Sequence, residues 1–404
     1  MNSTNTSRTQ DIVLWVLFVV LPLTYTLPFA SYLLLGAIIV LLLFSIMNGN
    51  VINNVSHLKK GKENTGIINL SFYLLFLWFV LVALLIKPEF DCIVRIIQII
   101  GCFLAFNLGA NKKWNYRNVE NIRKVVFVLL IISLCFWGVK GFPLSNYSFF
   151  FTNPNTFSTL LLTWLLFVLI GENNRIKIIF VLGIGVLLIY VSSSRASILS
   201  LGVYIIIYFI LSHDHKKYGV FPKSIILKWE LFFIFLVIFV MVFVFVYPKL
   251  MSTDLGYKIQ LLSLQYSGKN FFSGRQVLWE TLGELIKEKP FMGYGLGALP
   301  GDFITTTKSS HNIFMQIALQ SGLIGLGLIV YILKRIYSNC LVHSSSTYAL
   351  QALAVMFAMI IHENFEASLT QNLLIAGLQF WFMFGMGCTE FDISRSKQDY
   401  LMNL

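Results

Sequence analysis

Arg195, Arg275 and His311 are the side chains in this sequence whose types and settings could do chemistry. Arg195 follows three serines in Val191-Ser192-Ser193-Ser194-Arg195-Ala196-Ser197. Ser192, Ser193 and Ser194 offer hydroxyl and backbone N–H donors, and the arginine adds a charge that does not titrate away. That combination suits a cluster of anionic oxygens such as a diphosphate, whereas the plainer reading is a polar turn with a snorkelling arginine. Arg275 stands in Phe272-Ser273-Gly274-Arg275-Gln276-Val277-Leu278-Trp279, where a helix beginning would also favour anions. Its plainer reading is an exposed loop arginine. His311, in Ser309-Ser310-His311-Asn312, can take a proton from a hydroxyl near neutral pH, and Asn312 can hydrogen-bond a sugar. A capping or interfacial histidine is the alternative. In His362-Glu363-Asn364-Phe365-Glu366, the carboxylates Glu363 and Glu366 could orient a histidine or bind acceptor hydroxyls, or simply make an acidic loop.

Other chemistries lack their residues. His57, His213, His215 and His343 lie near Lys or Arg in loops, as solvated histidines do. Cys92, Cys102, Cys135, Cys340 and Cys388 fall in or beside apolar runs without paired spacing, so neither a disulfide framework nor a zinc site is indicated. There is no Walker A sequence and no Asp-x-Asp pair in the long hydrophilic segment, which disfavours nucleotide hydrolysis and metal-bridged sugar-nucleotide chemistry. No metal and no cofactor is expected. Gly293-Tyr294-Gly295-Leu296-Gly297 reads as a flexible turn, and Arg95 is spaced to pair with Asp91 one helical turn away.

These residues must be positioned by membrane helices. The 404 residues are 57% hydrophobic and 12% charged, with 37 Phe against 18 Asp+Glu and a mean hydropathy of +0.77. A soluble domain carries about a quarter charged residues, so this is an all-α polytopic membrane protein. A hydrocarbon core takes roughly 17–25 helical residues. Runs near 12–27, 31–47, 67–86, 91–110, 125–139, 155–171, 177–192, 196–212, 229–247, 313–333, 346–361 and 370–388 give about twelve spans by that measure. The first is read as a retained helix, because it lacks a small-residue cleavage site.

Placing the amino terminus inside puts nineteen of the 30 Lys+Arg in inside segments, as the positive-inside rule requires. The formal charge of +12 is then mostly a topology signal and calls for no nucleic acid. Both termini are expected in the cytoplasm, with Arg195, Arg275, His311 and Glu366 on the outer face. The chain 1–404 reads as a single membrane domain. Its long outer loop, 248–311, carries a short amphipathic helix over Gln276 to Glu288, with Val277, Leu278, Leu282, Leu285 and Ile286 on the apolar side.

Taken in order, several motifs resemble the O-antigen ligase and Wzy-type polymerase superfamily. They are Ser192-Ser193-Ser194-Arg195-Ala196-Ser197, Ser273-Gly274-Arg275 through Trp279, Lys289-Pro290-Phe291-Met292-Gly293-Tyr294-Gly295, Ser310-His311-Asn312 and Ser321-Gly322-Leu323-Ile324-Gly325. The resemblance covers about 185–335. It implies an integral membrane glycosyltransferase in a bacterial inner membrane, with its active site on the periplasmic face. The enzyme would take a glycan from an undecaprenyl-diphosphate carrier and pass it to an acceptor hydroxyl. By that similarity Arg195 and Arg275 hold the diphosphate and His311 acts on the acceptor. The chemistry is compatible, since two fixed guanidiniums can stabilise a leaving diphosphate without a divalent metal.

A polymerase would use another lipid-linked repeat unit as acceptor, and a ligase would use lipid A–core. Ser273-Gly274-Arg275 with Leu278-Trp279, and Phe151-Thr152-Asn153-Pro154-Asn155, look more like polymerases, for which a chain-length regulator is a further implied partner. Asn364-Phe365-Glu366 also has counterparts among ligases. A lipid-linked glycan flippase would share the composition, but transporters place charges at mid-membrane and show related halves. Here the distinctive charges lie at one face.

Overall fold

The computed structural model describes residues 12, 14–25, 33–38, 63–110, 116–172, 174–267, 270–272, 274–305 and 309–388, where the regular structure is helical throughout. A π-helical turn, Val16–Val20, runs into α1 (Leu21–Thr24). It is followed by α2 (Glu63–Leu85), α3 (Phe90–Gly109), α4 (Tyr116–Val139), α5 (Pro154–Leu169), α6 (Arg175–Val191), α7 (Arg195–Tyr218) and α8 (Lys223–Leu250). Then come α9 (Asp254–Ser267), α10 (Arg275–Glu288), a 3₁₀ turn at Pro300–Asp302, α11 (Ile313–Val342), α12 (Thr347–Glu363) and α13 (Leu374–Gly387).

Six helical stretches among the described residues are long and apolar enough to cross a membrane: Gly66–Leu85, Phe90–Gly109, Val119–Val139, Arg195–Tyr218, Lys223–Leu250 and Ile313–Val342. Pro154–Leu169, Thr347–Glu363 and Leu374–Gly387 are apolar but shorter. The chain is a multi-pass membrane protein. Each expected run from 67 onward falls on a helix, but only six reach spanning length. The run 31–47 lies mostly outside the described residues, as do the segments 1–11 and 389–404.

Apolar runs in lipid must satisfy their backbone internally, which only a helix does within one segment. Asparagines mark several of the starts. The Asn153 side chain accepts from Asn155 N (2.8 Å) with Pro154 at the first helical position, Asn174 caps Ile176 and Lys177, and Asn312 caps Met315 N (2.9 Å). The centre of the bundle is α12 and α13, whose side chains are buried almost all round. Helix α7 packs on α12, α3 on α13, and α2 on α11. Polar groups inside are paired across helices: Gln379 Nε2 donates to Leu17 O (3.0 Å) and Gln351 Nε2 to Leu169 O (2.8 Å). Helix α8 leaves Phe235, Phe239 and Phe245 exposed, the pattern of a lipid-facing helix.

The segment 248–311 differs from expectation in three ways. It contains a second helix, α9, whose Leu255, Leu261 and Leu262 are all exposed, so no apolar stripe announced it. The amphipathic helix is present as α10, but its buried face is Leu278, Trp279, Leu282, Gly283 and Ile286, while Val277 is 62% exposed. Burial of Trp279, whose indole N–H donates to Ser310 O (2.8 Å), fixes that rotation. The glycine-rich turn after Pro290 is locked rather than flexible: Tyr294 N donates to Leu319 O (2.8 Å) and Leu323 N to Pro290 O (2.7 Å). Gly322, at φ 70°, breaks α11 there, and a Cβ on it would lie 2.0 Å from Phe291 O. The carbonyl of Ser321 at the break accepts from Trp78 Nε1 (2.9 Å).

Arg95 donates to Gln98 Oε1 (3.0 Å) rather than pairing with Asp91. Cys92, Cys102, Cys340 and Cys388 are buried and Cys135 is exposed, all as free thiols.

Candidate active site

The expected residues converge from four places in the chain: the start of α7, the start of α10, the start of α11 and the loop after α12. Gly274, at φ 85°, turns the chain into α10 and sets Arg275 on its first turn. The Arg275 guanidinium lies over the Phe365 ring, 5.8 Å from its centroid, with Nη2 3.7 Å from Glu366 Oε1. The other carboxylate oxygen, Oε2, is 3.6 Å from His311 Nδ1. That separation is an ion-pair distance and not a hydrogen bond. His311 Nδ1 is buried without a hydrogen-bond partner among the described residues. Glu366 is therefore the centre of an Arg275–Glu366–His311 array.

The electrostatics follow from that arrangement. Burial is the largest influence on Glu366 and would raise its pKa. The neighbouring His311, the charge of His362 and the Arg275 guanidinium together outweigh it and hold the carboxyl below its ordinary range. Burial acts first on Arg275, pulling its pKa below the usual value. Glu366 and Tyr247 oppose that shift, and the charge of nearby Arg195 adds to it. The Arg275 guanidinium stays charged at any working pH.

Arg195 opens α7 and its Nη1 donates to Asn270 O (3.0 Å). Asn270 belongs to a segment pinned by α9, since Gln260 Oε1 accepts from Phe271 N (2.9 Å) and Phe272 N (3.1 Å). The helix that sequence periodicity missed therefore fixes the carbonyl that holds Arg195. The three serines before it are occupied internally: Ser192 Oγ donates to Leu188 O (2.7 Å), Ser193 Oγ accepts from Asn146 N (3.3 Å), and Ser194 Oγ donates to Ser197 Oγ (3.1 Å). Ser192 and Ser194 are buried. Ser273 lies outside the described residues.

His311 sits at φ 48°, a left-handed conformation rare for a side-chain-bearing residue. Ser310 Oγ donates to Asn312 O (2.9 Å), knitting the turn together. Asn312 is buried; its amide donates to Asn364 Oδ1 (2.7 Å) and Asn364 O (3.1 Å) while its oxygen caps α11. It ties the His311 turn to the Glu366 loop. Glu363 is 0% exposed. It accepts from Ser368 N and Leu369 N (both 2.8 Å) and from the Ser368 hydroxyl, and lies 3.1 Å from His362 Nδ1. Asn312 and Glu363 shape the loop; neither faces the cleft.

Beside the array lies a cleft of about 230 Å³ lined by Tyr25, Asn153, Asn155, Thr156, Thr159, Ser309, His311, Glu366, Ala367, Ser368, Asn372 and Leu373. Arg195 and Arg275 do not line it. Glu366 thus meets the Arg275 guanidinium through one oxygen and also lines a cleft whose other polar groups are mostly neutral. Sequence reasoning put none of the lining asparagines in the site. The signal available was Asn153-Pro154-Asn155, polar residues opening an apolar helix at the same end of the bundle.

These features define a class: a multi-pass membrane protein with a charged, cleft-bearing site at one end of its helix bundle. Residues 178–330 match the family model described as O-antigen ligase. This is close to the 185–335 region carrying the resemblance, and it contains Arg195, Arg275 and His311 but not Glu366. No curated protein matches the chain.

Proposed function

We propose that the protein is a glycosyltransferase that polymerises undecaprenyl-diphosphate-linked repeat units of a surface polysaccharide at the periplasmic face of the inner membrane. The observation that carries this reading is the Arg275–Glu366–His311 array, with Arg195 beside it. A glycosyl donor on a diphosphate releases an anion, and fixed guanidiniums stabilise charge as it develops there. Glu366 faces His311 through Nδ1, which leaves Nε2 for the acceptor hydroxyl. The acceptor oxygen attacks the anomeric carbon as its proton passes to His311. The carbon–oxygen bond to the diphosphate breaks and its electron pair stays with the phosphate, so direct displacement inverts the anomeric centre. In the absence of donor, Glu366 is the counterion of Arg275, and the diphosphate takes over that pairing as it binds. The apolar tail lies between helices, and α9 and α10 shelter the sugars.

Ligation of the glycan to lipid A–core is the second reading, favoured by the description of the family model that matches residues 178–330. The two share every step up to the acceptor. Purified protein in detergent is mixed with lipid-linked repeat units, with and without lipid A–core. Chain growth from the lipid-linked units alone supports polymerisation. Product that requires lipid A–core supports ligation, and product in neither mixture overturns transferase activity in favour of transport.

A further inference from the structure

The structure assigns the cleft beside His311 as a subsite for one uncharged sugar ring of the acceptor, gripped by Asn155 and Asn372 and closed to acidic sugars. The binding site stands on its own geometry; only the word acceptor rests on the transfer reading above.

The volume of about 230 Å³ falls below the roughly 300–1,000 Å³ of sites for drug-sized ligands, and so suits a single ring. The lining is amide and hydroxyl: Asn153, Asn155, Thr156, Thr159, Ser309, Ser368 and Asn372. An asparagine amide both donates and accepts, which matches a sugar hydroxyl doing the same. Thr159 and Ser368 already donate within the protein, to Asn155 O (2.9 Å) and to Glu363. The Asn155 amide, the Thr156 hydroxyl and the Asn372 amide make no hydrogen bond among the described residues, which leaves them for a ligand. They are also well held. Asn153 and Pro154 cap α5 and set Asn155 on its first turn, and Asn372 takes φ 50°, a conformation asparagine tolerates better than most residues. Tyr25 and Leu373 add apolar surface for the C–H face of a ring.

Charge sets the selectivity. Glu366 is the carboxylate in the lining, and neither Arg195 nor Arg275 is among the lining residues. A uronic-acid carboxylate placed here would meet the Glu366 carboxylate, and like charges at close range oppose each other. A neutral hexose or N-acetylhexosamine meets no such penalty. His311 and Glu366 both border the ring, so a hydroxyl of a bound sugar lies next to the proposed base.

Saturation-transfer NMR on the full chain in detergent tests this with methyl glucoside, methyl N-acetylglucosaminide and methyl glucuronide as probes. At least one neutral glycoside is expected to take up saturation about tenfold more strongly than the glucuronide. Asn155→Ala and Asn372→Ala lower that signal at an unchanged thermal midpoint. Asn372→Lys gains glucuronide saturation, an outcome misfolding does not produce. The subsite is overturned if no neutral glycoside saturates, if the glucuronide matches them, if the asparagine variants bind as wild type does, or if Asn372→Lys gains nothing. Glycoside binding without any glycan transfer would leave the subsite standing and remove the transferase reading instead.

Discussion

Glu366 Oε2 lies 3.6 Å from His311 Nδ1, and its other oxygen faces Arg275 at 3.7 Å, so one carboxylate addresses both halves of the site. Replacing it tests whether it positions the histidine. Glu366→Gln keeps the shape and removes the charge. The expected result is a fall in kcat of about 10²-fold, the lower end of what general acid–base catalysis contributes, with donor KM changed far less. Steady-state transfer assays separate the two, and a wild-type kcat would dismiss the carboxylate as a mere loop charge.

In the proposed reaction, loss of a guanidinium acts on the leaving group. Arg275→Ala and Arg195→Ala are expected to cost about 10²–10³-fold in turnover, comparable to removal of one preorganised charge-stabilising donor. Arg275→Lys and Arg195→Lys are expected to recover only part of it, because an ammonium lacks the planar fork. Full activity in either lysine variant would reduce that arginine to a simple positive charge.

Stability should carry a pH signature from the same carboxylate. Glu366 is held below the ordinary carboxylate range, so its contribution is fully present above the unfolded-state value of roughly 4.3. It is lost as pH falls through the lower, folded value. The difference in thermal midpoint between wild type and Glu366→Gln in detergent should therefore be constant from pH 7 to about 5 and shrink below that. A difference that grew on acidification would contradict the assignment.

Glu363 and Asn312 should behave as framework residues. Glu363→Ala leaves the Ser368 and Leu369 N–H groups without an acceptor and takes one partner from His362, and each buried polar group so left costs about 1–3 kcal/mol. Asn312→Ala removes a helix cap, about 1 kcal/mol, and two bonds to Asn364. Thermal unfolding in detergent is the measurement. Loss of transfer with an unchanged midpoint would move either residue into the chemistry.

Much of this was legible in the sequence because lipid imposes a strong pattern: apolar runs long enough to span become helices, and scarce charge makes Arg195, Arg275 and His311 stand out. Less legible were features set by tertiary contact. Helix α9 has its leucines exposed, so no periodic stripe marks it. Which of two neighbouring carboxylates faces the cleft was hidden as well: Glu363 and Glu366 are three residues apart, and only the fold of the loop over Ser368 turns the first inward. The three serines look like an anion cradle in one dimension, yet their hydroxyls are engaged within the protein. The lining asparagines come from the start of α5 and from the segment just before α13, distant parts of the chain whose proximity no local spacing records.

The break in α11 at Gly322 separates the histidine from the part of its helix that lipid holds. Residues 323–342 form a rod of about 30 Å at 1.5 Å per residue, sufficient to cross a hydrocarbon core without the preceding turns. The break is clamped on both sides, since Tyr294 N donates to Leu319 O before it, Leu323 N donates to Pro290 O after it, and Trp78 of α2 bonds the Ser321 carbonyl between them. A change in bilayer thickness tilts the rod, and these bonds hand that tilt on to the segment that carries His311. Transfer rates in short-chain and long-chain lipid vesicles should therefore differ, making the site responsive to the membrane that houses it.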